Sequence, residues 1–108
     1  MTDAVERQVL AYNAHDIKEF VACYAEDAAI EDADGNVVMR GRDEMREKYG
    51  RRFEEYPDLH ADVVTRIRVG PYVVDEERVT GGPGGDVHAV VIYRLDTDGL
   101  IEHVRLLR

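Results

Sequence analysis

The chemistry available to this chain lies in its carboxylates. The stretch AIEDADG, residues 29–35, sets Glu31 and Asp32 side by side where a short apolar strand should finish. A carboxylate there either takes a proton from a substrate or accepts backbone N–H groups and shapes the turn. Asp34-Gly35 suits a tight hairpin by itself, which leaves Asp32 free for the first role. Glu77 is the second acid. In YVVDEERVT, strand alternation carries Asp75 and Glu77 to one side with Val73 and Val79. Turned inward, Glu77 is a carboxylate whose pKa rises with desolvation unless a partner offsets it, and Arg66 is the candidate partner. Turned outward, DEER is a solvated charge cluster. The strand register across GGPGG decides between the two.

Other reactive residue types point elsewhere. His15, His60, His88 and His103 show no H-x-x-x-H spacing and no accompanying Cys or carboxylate pattern, so no metal is expected. Strand parity places His88 and His103 on an outward face. Cys23 is the only cysteine, which rules out an intrachain disulfide; it lies within a helical pattern and reads as a core thiol. GGPGG joins two strands and precedes no helix, so neither a nucleotide nor any other cofactor is expected.

The elements that must position these acids follow from apolar spacing. Val5, Val9 and Tyr12 predict a first helix over about residues 3–14. Asp16 and Glu19 form a capping-box pattern ahead of Ile17, Phe20, Val21 and Tyr24, which predicts a second helix. AAI and NVVM read as short strands around Asp34-Gly35. Met45, Tyr49, Phe53 and Tyr56 predict a third helix, with Glu44–Lys48 and Glu47–Arg51 as pairs on its wet side and Pro57 ending it. Beyond it the chain alternates. Ala61, Val63, Thr65, Ile67 and Val69 face one way, and His60, Asp62, Arg66 and Arg68 the other, with Val64 as the exception. VHAVVIYRL reads as a central strand and LIEHVRLL as the last. The order α-α-β-β-α-β-β-β-β predicts an α+β fold in one domain, residues 1–108.

Bulk composition fits this. A chain of 108 residues with 44% hydrophobic content makes one globular domain, burying roughly 60–70% of its unfolded surface. A formal net charge of −9 disfavours nucleic acid and anionic membrane surfaces as partners. No apolar run approaches a membrane span. The polar start MTDAVERQ does not read as a signal peptide, and a single thiol suits a reducing compartment, so the expected location is the cytoplasm.

The ordered set AYNAHDIKEFVACYAEDAAIEDADG, GRDEMREKYGRRF, PDLHADVVTRIRVGPYVVDEERVTG and IYRLDTDGLIEHVRLL resembles the SnoaL-like group of the nuclear transport factor 2-like superfamily, which includes ketosteroid isomerase. The resemblance implies a cone-shaped α+β barrel, with three helices closing a pocket in a curved, mostly antiparallel sheet. It also implies a homodimer through the outer sheet face. It does not imply one activity, because the group spans isomerases, cyclases, dehydratases and binding proteins.

Aligned to the isomerase branch, Asp32 falls at the general-base position. The two oxyanion-donor positions carry Gln8 and Val91, so one donor is weakened and the other is lost. Losing one such donor typically costs about 2.7–4 kcal/mol of transition-state stabilisation, which argues against steroid isomerisation. The same alignment turns Tyr12, Tyr24, Tyr49 and Phe53 inward from the helices, facing Ala89, Val91 and Tyr93 of the central strand. These residues either line a pocket for a small apolar ligand or fill the core. Three functions remain open. One is binding of a small hydrophobic molecule, towards which the residues lean. The second is an acid–base enzyme with Asp32 as base, Gln8, Tyr12 or Tyr24 as donors and Glu77 as a second acid. The third is a dimeric interaction module.

Overall fold

Side-chain caps start the first two helices. In the computed structural model, which describes residues 3–108, the Asp3 carboxylate accepts the Glu6 N–H at 2.9 Å at the head of α1 (Ala4–Asn13). Asp16 accepts the Glu19 N–H at 3.1 Å at the head of α2 (Ile17–Ala22). The expected capping box is half formed, because the Asp16 N–H donates to the Ala11 carbonyl at 2.9 Å. α1 buries Ala4, Val5, Gln8 and Ala11, while Val9 and Tyr12 are only partly covered. The inward stripe is therefore rotated from the expected one, and it carries a polar residue, Gln8. α3 (Arg42–Glu55) buries Met45, Tyr49 and Phe53 as its spacing predicts, and the pairs Glu44–Lys48 and Glu47–Arg51 form at 3.7 and 3.0 Å.

Six strands follow the expected order: β1 (Tyr24–Glu31), β2 (Val37–Arg40), β3 (His60–Val69), β4 (Tyr72–Gly82), β5 (Gly85–Leu95) and β6 (Ile101–Leu107). They form one sheet in the order β2-β1-β6-β5-β4-β3, antiparallel throughout except for β1 beside β6. The sheet is curved, but its end strands β2 and β3 do not pair, so the barrel is open. The helices pack on the inner face. Asn13, just where the α1 pattern breaks, pins that layer to the β3 edge. Its amide donates to the Ala61 carbonyl at 2.9 Å and accepts the Ala61 N–H at 2.8 Å, imitating a neighbouring strand. Next to it, the His15 ring stacks on Phe53 with centroids 5.1 Å apart.

Three local expectations need correction. α2 stops at Ala22, so Cys23 is its cap and Tyr24 opens β1, where the Tyr24 carbonyl accepts both Nε and a terminal nitrogen of Arg42. Apolar spacing alone cannot separate a last helical turn from the first residue of a strand. Secondly, Val64 is a β-bulge. Val63 faces Glu77 but Thr65 faces Glu76, so side-chain parity reverses there. Ala61 and Val63 point inward before the bulge, and Arg66 and Arg68 after it. Thirdly, GGPGG is part of a continuous hairpin, with Gly82 paired to Gly85. Gly81 has φ +75° and a Cβ there would lie 2.3 Å from the Asp58 carbonyl oxygen, so only glycine fits.

Among the described residues no helix is long and apolar enough to cross a membrane, and no group of three His, Cys, Asp or Glu side chains could hold a metal ion.

Candidate functional site

The inner sheet face and the helices enclose a small hollow of about 60 Å³. Tyr12, Tyr24, Tyr49, Val91 and Tyr93 line it as expected, joined by Gln8 and Glu77. Beside it, towards the β4–β5 hairpin, lies a second hollow of about 140 Å³ lined by Leu59, Val79, Ala89, Arg52 and Arg108 among others. The two share Glu77, Val91 and Leu106 as a common wall. Phe53 lines neither. It packs edge-on to Tyr12 at 5.4 Å and to Phe20 at 5.9 Å, behind the pocket wall, so it is a core residue.

A chain of hydrogen bonds runs across the smaller hollow. The Tyr24 hydroxyl donates to Gln8 Oε1 at 3.2 Å, and Gln8 Nε2 donates to the Tyr93 oxygen at 3.0 Å. The Tyr93 hydroxyl donates to Glu77 Oε2 at 3.1 Å. Gln8 is thus a donor in the hollow, but both ends of its amide are engaged by tyrosines. Burial pushes Tyr24, Tyr49 and Tyr93 above the ordinary phenol range, so all three remain neutral donors near neutral pH.

Glu77 is buried at the end of this chain, 7% exposed. Burial first, and the neighbouring Asp75 carboxylate second, push its pKa up to about 7, against the Tyr93 hydrogen bond and the Arg66 charge. The inward reading of Glu77 holds, but its expected ion pair does not form. Arg66 instead grips Asp75 with two bonds of 2.7 and 2.8 Å, and Asp75 is completely buried. The bulge at Val64 sets Arg66 opposite Asp75 and not opposite Glu77. Glu77 Oε1 accepts no hydrogen bond among the described residues and is not closed off from solvent.

Asp32 does not share this site. Its Oδ1 accepts the Asp34 and Asn36 N–H groups, each at 2.9 Å, within the β1–β2 hairpin. The Asn36 backbone bond first, with the other turn amides, holds its carboxyl below the usual aspartate range. A carboxylate so occupied is a poor proton acceptor. Asp34-Gly35 does not make this turn alone; Asp32 is part of it. Its side chain borders an open outer groove shared with Lys48, Arg52 and Arg108. Sequence reasoning also missed Arg52, Leu106 and Arg108 at the pocket mouth. Arg52 follows Tyr49 by three residues, a helical spacing that was available as a signal.

A SnoaL-like domain model matches residues 5–104. The chain belongs to the SnoaL-like family. This member is similar to solved structures across almost its whole length. A cystatin-fold protein of uncharacterised function from Novosphingobium aromaticivorans is 28% identical with a TM-score of 0.89, over 97% of this chain and 95% of that one. A candidate polyketide cyclase from Sinorhizobium meliloti is 20% identical with a TM-score of 0.82, over 98% and 94%. A protein of ketosteroid isomerase-like fold from Catenulispora acidiphila, solved in complex with trimethylamine, is 18% identical with a TM-score of 0.77, over 97% and 84%. The last two establish the fold alone. Among curated proteins, none matches the chain's sequence.

Proposed function

We propose that this SnoaL-like domain binds a small, mostly apolar molecule in the paired hollows, with Glu77 and Tyr93 holding its polar group. The observation that carries this reading is the free Glu77 Oε1, an accessible oxygen of a largely buried carboxyl on the wall that the two hollows share. A ligand hydroxyl can donate to this oxygen when the carboxyl is ionised, and a ligand carbonyl can accept from it when the carboxyl is protonated. The volumes limit the ligand. A hollow of about 140 Å³ is close to the roughly 150 Å³ of an engineered cavity that admits benzene, so one ring fits and a four-ring steroid does not. The experiment is a titration of the labelled protein with phenol and cyclohexanone, followed by NMR. Shifts concentrated at Ala89, Val91 and Tyr93, and lost in Glu77→Gln, support the reading; shifts elsewhere, or none, overturn it.

Acid–base catalysis is the second reading, favoured by one observation: a Glu77 pKa of about 7 leaves acid and base forms both populated near neutrality. Glu77 thereby replaces Asp32 as the proposed proton-transfer group, while Gln8 serves to position Tyr93. Hydrogen–deuterium exchange at the α-carbon of cyclohexanone tests it. Acceleration by the protein that disappears in Glu77→Gln supports catalysis, and an unaccelerated rate leaves binding alone.

We also propose the homodimer through the outer sheet face, where Ile67, Val69, Tyr72 and Val90 are exposed apolar residues. A monomeric mass by light scattering at micromolar concentration would remove it. A cytoplasmic location remains part of the same proposal.

A further inference from the structure

We infer that the ligand is a small carboxylate, its apolar body in the larger hollow and its anionic end held at the mouth by Arg52 and Arg108. The inference rests on the binding function proposed above and adds a charged end to the ligand, separate from the polar group that Glu77 and Tyr93 hold. The chain is acidic, with a formal net charge of −9, yet both arginines border the larger hollow and the open groove outside it. Among the described residues neither lies within 4.0 Å of a carboxylate; Arg7, Arg40, Arg42 and Arg78 are likewise unpaired, but none of these four borders the larger hollow.

Arg52 is held in place by its neighbour, with its guanidinium 5.1 Å from the centre of the Tyr49 ring. The positive charge reaches inward as well. Arg52 and Arg108 both draw down the pKa of Tyr12 and Tyr49, opposing the larger upward effect of burial. The wall behind them is Leu59, Val79, Val87, Ala89 and Leu106, which is apolar. Cations at a rim over an apolar wall match an amphipathic anion. A carboxylate fits an arginine fork in its own plane. Of the nearby acids, Asp32 and Asp34 line only the outer groove, while Glu77 is the one acid that lines the larger hollow among the described residues.

The test compares benzoate, its neutral isostere benzamide and inorganic phosphate by calorimetry and NMR titration. Benzoate should bind the wild-type protein about tenfold more tightly than benzamide, equivalent to about 1.4 kcal/mol. The preference should vanish in Arg52→Gln/Arg108→Gln and persist in Arg52→Lys/Arg108→Lys, which retains the charge if the Gln variant folds poorly. Equal binding of benzoate and benzamide, or a preference that survives the Gln pair, overturns the carboxylate assignment and leaves the binding function standing. Phosphate binding as tightly as benzoate overturns it as well, since the apolar body would then contribute nothing. If neither benzoate nor benzamide binds, the carboxylate assignment falls, and the phenol and cyclohexanone titration decides separately whether the binding function stands.

Discussion

Replacing Glu77 by Gln should make the protein's stability less sensitive to pH in a defined window. In the unfolded chain this carboxyl titrates near 4.5, and in the folded protein near 7. Between those values the folded state holds a proton that the unfolded state has released. Stability therefore falls as pH rises from about 4.5 to about 7, and the full cost is in place above that. At about 1.36 kcal/mol per tenfold change in proton affinity, the group removes roughly 3 kcal/mol across the window. Gln cannot ionise, but it preserves the shape and an acceptor for Tyr93. Urea denaturation of both proteins at half-unit pH steps gives the difference directly. The wild type should lose about 3 kcal/mol relative to Glu77→Gln between pH 4.5 and 7. A difference that stays constant over this range refutes the reasoning, because it would mean that the folded carboxyl titrates where the unfolded one does.

Tyr93→Phe removes the donor to Glu77 and strands Gln8, so it should cost about 1–3 kcal/mol. Because that donor favours the ionised form, its loss should carry the Glu77 titration above about 7, as read by carboxyl carbon NMR. Asp75→Asn leaves the Arg66 guanidinium without its counter-ion in a mostly buried position and should destabilise by about 3–5 kcal/mol in denaturant melts. The same change should lower the Glu77 pKa, since the like charge goes and Arg66 stays; an unmoved Glu77 titration would break the proposed coupling. Asp32→Ala should lower the melting temperature by removing the turn acceptor, yet leave phenol and benzoate affinities unchanged. Loss of binding in that variant would restore Asp32 to the site.

Much of the architecture is legible in local signals. Asp3 and Asp16 precede their helices as caps do, the α3 stripe of Met45, Tyr49 and Phe53 is buried as spaced, and all nine elements occur in the expected order. What local signals cannot carry is register. The parity of β4 places Asp75 and Glu77 together, but whether Arg66 turns inward to meet either depends on a bulge in a different strand. Val64 was visible only as a break in alternation. Asp32 was misread for a related reason. Its occupation by the Asp34 and Asn36 amides depends on turn geometry, and Asp, Asp-Gly and Asn are compatible with several turns. Of the mouth arginines, Arg52 is signalled by its helical spacing from Tyr49, but Arg108 is not, because it reaches its place through the pairing of β6, a contact between distant parts of the chain.

The extra residue at Val64 makes the floor of the pocket a matter of strand register as much as of composition. With it, Arg66 turns inward to neutralise Asp75, and Thr65, Ile67 and Val69 turn out. Deleting Val64 would leave Arg66 opposite Asp75 in plain alternation, but pairing all the residues without the bulge would set Thr65 opposite Asp75 and Ile67 opposite Val73, exchanging the two sets. Ile67 and Val69 would enter the interior, and Asp75 would face an aliphatic surface with its cation removed to the far side of the sheet. Point substitutions can only adjust the acid pair in place. A slip of register at this position switches the floor between ionic and oily in one step, so the bulge is what keeps the buried charge of this scaffold paired.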